Sequence, residues 1–402
     1  MKRRNGEGTW GKKNIKGKEY MFFRNSSGKY FYGKTQKEIK EKIKKYEESN
    51  LINKSSDVLF NDYFKNWLYN VKQPQVKRRT FDGYEQYYDN LLVGYKKYSI
   101  IDIKIGKITS KNITQYYNTL ATDYSLATIK KVHTLINQCF NYAIEEELIE
   151  TNPALRAKLP SEDIVAKPKK EIPFLSYEDM EKLYNENNRV QTAGFKTNGE
   201  EGDLVYGNNA KIIILIMYTG LRISEALGLK WCDVNLAKKY ISVNRNLSKV
   251  KNREEKKSNK EKYIYVETTL KRSSSKRTIP LCDRAMEVLM YLKEHNKSTE
   301  DLDYVCMSKT GNIANMRNIT KTLNAMLIRA NCEVKHCGMH SLRHSFGSYL
   351  VSQGVDISVV SKLMGHKNIS VTYNVYIHIL NQSQIDAINM FNKEQNNTSP
   401  KS

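Results

Sequence analysis

No stretch of this chain approaches the roughly eighteen uninterrupted apolar residues that a membrane span needs. Its longest compact apolar run, Ile212 to Met217, has the size of a core segment. A secretory leader is not legible either, because the basic start Met1-Lys-Arg-Arg-Asn5 is followed by no apolar block. Cysteine is scarce, with 6 among 402 residues, at 139, 232, 282, 306, 332 and 337. Mostly scattered among apolar neighbours, they suit reduced core thiols rather than a disulfide framework. A cytoplasmic protein without a membrane partner is the expectation. Acidic residues are the other shortage: 43 Asp plus Glu face 66 Lys plus Arg, for a formal charge of +23. A field of that sign favours a long polyanion as partner.

What is present reads as a modular chain, too long for one ordinary core. Residues 1 to 50 form the most basic block, with 15 Lys/Arg against 6 Asp/Glu. Within it, Glu19 to Arg24 and Lys29 to Gly33 are short aromatic strands joined by the turn-prone Asn25-Ser-Ser-Gly28. Thr35 and Glu38 have the spacing of a capping box for a helix carrying Ile39, Ile43 and Tyr46 on one stripe. Such a module can lie in a groove of DNA. From 56 to 158 the periodicity is helical. Asp57 can cap a helix with Phe60, Phe64, Trp67 and Leu68; a second follows Thr80; a third carries Ile113, Tyr117 and Leu120. The fourth, after Ser125, runs through Ile129, Ile136 and Phe140 and stops before Asn152-Pro153. Residues 159 to 172 read as a charged, proline-containing linker. Beyond it helices flank strands expected at Tyr240 to Val243, Tyr263 to Val266, Thr278 to Pro280 and Tyr304 to Met307.

Three motifs in this last region carry chemistry. In Thr219-Gly-Leu-Arg222-Ile-Ser-Glu225 an apolar helix ends and another begins at once, which sets a guanidinium fork beside exposed N–H groups. In His340-Ser-Leu-Arg343-His344 the first and fourth residues share a helix face, and His344 is read as packing within the domain. In Leu363-Met-Gly-His366 the glycine ends a helix and the histidine occupies the turn; Tyr373 and Tyr376 follow, two of 27 tyrosines in the chain.

Taken in order, these boxes resemble the tyrosine recombinase (phage integrase) family, whose pattern ends in Tyr-x-His. Tyr376-Ile-His378 matches it and Tyr373 does not, so Tyr376 is the expected nucleophile. The family also places a lysine on a β-hairpin between the first two boxes; Lys271 fits best, and Lys276 stays open. The resemblance implies that Arg222, Arg343 and His366 hold the scissile phosphate, His340 takes the tyrosine proton and Lys271 protonates the leaving 5′ oxygen, with no metal or cofactor.

It further implies a mainly α fold with small β-sheets (multi-domain α+β), like the integrases of conjugative transposons. An N-terminal three-stranded arm-binding domain (1–52) precedes a helical core-binding domain (56–158), the linker and a catalytic domain (173–392), with a disordered tail (393–402). The expected partner is double-stranded DNA at core and arm sites, bound by a homotetramer, with an excisionase or DNA-bending protein as accessory. A helix over 384–391 is placed to dock on a neighbouring subunit or on its own domain.

Three rivals were weighed on the same residues. Cys332, His336, Cys337 and His340 are zinc-ligand types within nine residues. Zinc modules pair such ligands across a loop of about a dozen residues, and no second half exists here. A DNA-binding regulator without catalysis, or a topoisomerase-like nicking enzyme, are the functional alternatives. The complete residue set disfavours the first, the basic N-terminal module and candidate exchange tail the second.

Overall fold

The computed structural model describes residues 9–15, 18–24, 29–33, 35–43, 57–167, 173–190, 205–253, 262–270, 276–373 and 375–376. Two compact units divide the chain, Met1–Lys170 and Glu171–Ser402. The fold is mainly helical with small antiparallel sheets.

The first unit opens with a three-stranded antiparallel sheet, β1 (Thr9–Ile15), β2 (Lys18–Arg24) and β3 (Tyr30–Gly33), ordered β1-β2-β3. Helix α1 (36–43) follows, and the Thr35 hydroxyl accepts from the Glu38 N–H at 3.2 Å. Ile39 is fully buried, and Gly33 lies so close that a β-carbon there would stand 2.8 Å from Ile39 Cγ1. Tyr46 lies outside the described residues.

Helices α2 (Phe60–Asn66), α3 (Gln73–Gln75), α4 (Arg78–Tyr87), α5 (Ser110–Ala121) and α6 (Leu126–Glu145) make the second part of this unit. Their core is aromatic: Phe60 stacks on Phe140 with centroids 4.9 Å apart, and Phe64 on Tyr88 at 5.6 Å. Two expected starts differ. Leu59, not Asp57, occupies the N-cap of α2, where the Phe60 and Asn61 N–H groups donate to the Ile103 and Ile101 carbonyls; Asp57 pairs with Lys104 at 3.1 Å. Helix α4 begins after Lys77, which puts Thr80 inside it. Val165 is buried in this helical core, so the charged segment after the last helix is packed at that point.

At the centre of the second unit runs α8 (Gly207–Thr219), in which every side chain from Ile212 to Met217 is fully buried. Each such aliphatic side chain contributes roughly 1.5–3 kcal/mol by leaving water. Around it pack α7 (Tyr177–Glu186), α10 (Asp283–His295), α11 (Met316–Arg329) and α12 (Met339–Ser352). Two small sheets flank the bundle. One is ordered β4-β5-β8, from Val234–Asn235, Tyr240–Val243 and Arg277–Pro280; the other pairs β6 (Arg245–Lys251) with β7 (Tyr263–Thr269). The expected strand at Tyr304 to Met307 is absent: Tyr304 and Met307 make only isolated bridges, to Lys230 and Ile313. Its apolar signal comes from Val305 and Cys306, which are buried from a loop. Helices α9 (Ile223–Leu227), α13 (Ile357–Met364) and α14 (369–373) complete the unit. Among the described residues no helix is long and apolar enough to cross a membrane.

Candidate active site

Helix α8 stops because Gly220 adopts a left-handed conformation, φ 63°, which costs little only without a β-carbon. Glycine is required there a second time by packing, since a β-carbon would stand 2.5 Å from the Phe346 ring. The chain then turns directly into α9 with Arg222 at its N-cap. Glu225, three residues on, accepts the Arg222 backbone N–H at 2.9 Å and its Nη1 at 2.7 Å.

Arg343 reaches the same point from α12. Its side chain is 1% exposed, donates through Nη1 to the Gly220 carbonyl at 2.7 Å and through Nη2 to the Met364 carbonyl, and lies 3.9 Å from Glu225. Burial and the neighbouring Arg222 pull its pKa down to about 9, so it stays charged at neutral pH. Arg277, the first residue of β8, completes the cluster with a two-pronged pair to Glu225 at 3.2 and 2.9 Å. Burial raises the Glu225 pKa, but Arg277 and Arg222 overcome it and hold the carboxyl at about 2. Three guanidiniums thus share one carboxylate, and the surplus positive charge suits an anion.

His366 follows the left-handed Gly365, φ 62°, that ends α13. Its Nδ1 lies 2.7 Å from the hydroxyl of Thr372, which is fully buried. Burial, then Arg343 and Arg222, depress its pKa to about 4, so the ring is neutral near pH 7. In the tautomer in which the Thr372 hydroxyl donates to Nδ1, Nε2 carries the remaining proton. His340, on the first turn of α12, also has a lowered pKa, from desolvation and the same two arginines. Its ring meets His344 edge-on at 4.8 Å, and His344 in turn meets Tyr376 at 6.3 Å.

Tyr376 is 1% exposed and its hydroxyl donates to the His344 carbonyl at 3.4 Å. The hydroxyl fits because residue 347 is glycine: a β-carbon there would come within 2.1 Å of it. Burial raises the phenol pKa to about 12, and Arg343 offsets part of that rise. Tyr373, by contrast, is 42% exposed.

Arg222, His340, Arg343, His366 and Tyr376 therefore belong to one neighbourhood built from α9, α12, α13 and α14. Lys271, His378 and residues 384–402 lie outside the described residues, whereas Lys276 is described and exposed. His344 packs between His340 and Tyr376. Sequence reasoning overlooked Arg277, Gly347 and Thr372. For Arg277 a signal existed: residues 277 and 279 share one pleat face, and Ile279 is buried, so the arginine points inward. Among the described residues no group of three or more His, Cys, Asp or Glu side chains gathers as a metal cage. Cys332 is buried and its thiol faces the Asp179 carbonyl at 3.7 Å.

The profile of the phage integrase family matches residues 174–383, more than half of the chain. The chain belongs to that family and is a tyrosine recombinase. A "tyrosine recombinase XerC-like" protein of Caldanaerobacter subterraneus subsp. tengcongensis is 31% identical, over 90% of this chain and 91% of its own. The integrase of Staphylococcus phage L54a is 26% identical, over 85% of this chain and 94% of its own. In fold, the chain is similar to the Tn1549 transposon integrase in complex with a circular intermediate DNA, with a TM-score of 0.62 at 18% identity, covering 79% of this chain and 94% of that one. It is also similar to a lambda integrase dimer bound to a COC′ core site, with a TM-score of 0.55 at 16% identity, covering 94% and 96%.

Proposed function

We propose that the chain cuts and rejoins double-stranded DNA through a 3′-phosphotyrosine at Tyr376, integrating and excising a mobile element as a tetramer. The observation that carries this reading is the gathering of Arg222, Arg277 and Arg343 on the Glu225 carboxylate, with neutral His366 beside Arg343 and Arg222 and Tyr376 buried against the helix that carries Arg343. Relatives and fold neighbours support it: the Tn1549 transposon integrase is described with DNA, and a lambda integrase tetramer is described on a Holliday junction.

The roles follow from the chemistry. Arg222 and Arg343 neutralise the non-bridging oxygens as charge grows in the transition state, and His366 adds a hydrogen bond through Nε2. The Tyr376 oxygen forms a bond to phosphorus while the bond from phosphorus to the 5′ oxygen breaks. The phenolic proton passes to His340, which is neutral at rest and able to accept it; Lys271 supplies the proton that the 5′ oxygen takes up. A hydroxyl of another strand reverses the step. At rest the phenol is protonated and faces the His344 carbonyl, so it must leave that pocket to reach a phosphate.

The test uses a nicked duplex from a terminus of the element that encodes the chain. The native protein should become covalently joined to it and Tyr376→Phe should not. Absence of any adduct with native protein would remove the recombinase reading, and an undiminished adduct with the Phe variant would remove Tyr376 as nucleophile.

A further inference from the structure

Helix α13 ends, as every helix does, with carbonyls that lack partners inside the helix and with the negative end of its dipole. Three consecutive carbonyls at this end accept from three different arginines. Leu363 accepts from Arg277 Nε at 2.6 Å, Met364 from Arg343, and Gly365 from Arg222 Nη2 at 3.4 Å. Two of those arginines are the proposed phosphate ligands. Arg277 is the third, and nothing in the cleavage chemistry uses it.

Its surroundings say what it does. The side chain is 7% exposed, and its two terminal nitrogens face the two oxygens of Glu225. The guanidinium lies across Gly365, where a β-carbon would stand 2.9 Å from Nη1. Its backbone is fixed too, because residue 277 pairs with Val243 in the sheet. We propose that Arg277 is a positioning residue for strand cleavage, tying Glu225, and through it Arg222, to the turn that presents His366.

The geometry needs arginine. Bridging two carboxylate oxygens with one edge and a carbonyl with Nε takes a rigid planar group, whereas lysine offers a point charge on a flexible stem. Arg277 is also the first residue of β8, one position after Lys276. The inference rests on reading Arg222 and His366 as phosphate ligands.

The experiment compares native protein, Arg277→Lys, Arg277→Met and Tyr376→Phe, all full length, on the nicked terminus duplex. It reads DNA affinity, the single-turnover rate of covalent complex formation and the unfolding midpoint. A misplacement of catalytic groups by an ångström costs on the order of a hundredfold in rate, so Arg277→Met should lose about that much while affinity changes by less than about threefold. Arg277→Lys should recover part of the rate.

Folded variants that cleave as fast as native protein overturn the inference, as does a loss confined to affinity. If Arg277→Met does not fold, Arg277→Lys carries the same comparison. A native protein that forms no adduct overturns the recombinase reading and this inference together; a native adduct with equally active Arg277 variants overturns the inference alone.

Discussion

In the helical part of the first unit two ion pairs, Lys97 with Asp123 and Lys104 with Asp57, stay in water. Lys97 meets Asp123 at 2.6 Å with the two side chains 56% and 37% exposed, and the core beneath is built from rings such as Phe60, Phe64 and Phe140. In the second unit Glu225 and Arg343 are each 1% exposed, and Arg277 joins them from β8. Exposed pairs contribute within about 1 kcal/mol, whereas stripping water from a charge costs several kcal/mol unless partners replace it. Single charged side chains are buried elsewhere, among them Asp82, Glu85, Asp179 and Lys211, but at Glu225 three guanidiniums gather on one buried carboxylate. The arginine cluster concentrates buried charge, whereas the helical core is built from apolar rings.

Breaking this contrast would show most clearly at Arg343. Arg343→Met replaces a buried cation by an apolar chain of similar length, so covalent complex formation should fall by roughly a thousandfold, as for loss of a transition-state donor. Its unfolding free energy should fall by less than on removal of the Glu225 charge, because Arg222 and Arg277 still neutralise that carboxylate. Urea unfolding beside single-turnover cleavage reads both quantities. A large stability loss would make Arg343 a structural pin and erase the difference between the units.

Glu225 should behave in the opposite way. Glu225→Gln leaves Arg222, Arg277 and Arg343 together without their counter-charge, and stability should drop by about 3 kcal/mol. The pH dependence has a definite sign. The folded carboxyl titrates at about 2, below its unfolded value, so its contribution is complete above roughly pH 4.3 and fades as the pH falls toward 2. The gap between native and variant should therefore narrow across that window in acid unfolding. A gap that stays constant from neutral pH down to 2 would contradict the assigned charge state.

How much of this was legible in the sequence follows from the range of each interaction. Arg222, His340, Arg343, His366 and Tyr376 stand on helix ends and helix faces, where spacing along the chain is spacing in space. Arg277 depends on β8 pairing with β5, which is not local, and only the alternation with Ile279 hinted at it. Strand β6 was missed because Arg-Asn-Leu-Ser-Lys-Val-Lys shows two apolar residues three apart, neither a strand nor a helix pattern. Its partner β7 supplies the pairing that makes Leu247 and Val250 buried. Tyr304 to Met307 failed in the other direction, since burial of Val305 and Cys306 looks like a strand in one dimension.

Gly347 probes the same contrast through volume instead of charge. Adding one methyl group sets a β-carbon 2.1 Å from the Tyr376 hydroxyl and 2.9 Å from Met364 Sδ. Overpacking of that kind costs roughly 2 kcal/mol if Tyr376 stays in its pocket. If the tyrosine instead swings out, Gly347→Ala should lose little stability and Tyr376 should become open to chemical modification in free protein. Thermal unfolding combined with tyrosine nitration distinguishes the two, and a variant with neither change would mean that the pocket is looser than the distances imply.

The smallest expected effect lies in the helical part, at its one multiply bonded buried amide. Asn152 is 5% exposed; its side-chain nitrogen donates to Asn137 Oδ1 at 2.7 Å and Asn141 Oδ1 at 2.6 Å, and its oxygen accepts from the Ala154 N–H at 2.8 Å. These bonds fix the turn that follows α6, but no charge is involved. Because Asn137 and Asn141 can turn to solvent once the amide is gone, Asn152→Ala should cost only about 1 kcal/mol. Urea unfolding should show that shift, and cleavage per folded molecule should be unchanged. A larger loss, comparable to that of Glu225→Gln, would mean that neutral polar networks in the helical part weigh as much as the charged cluster, and burial of charge would cease to be what singles out the site.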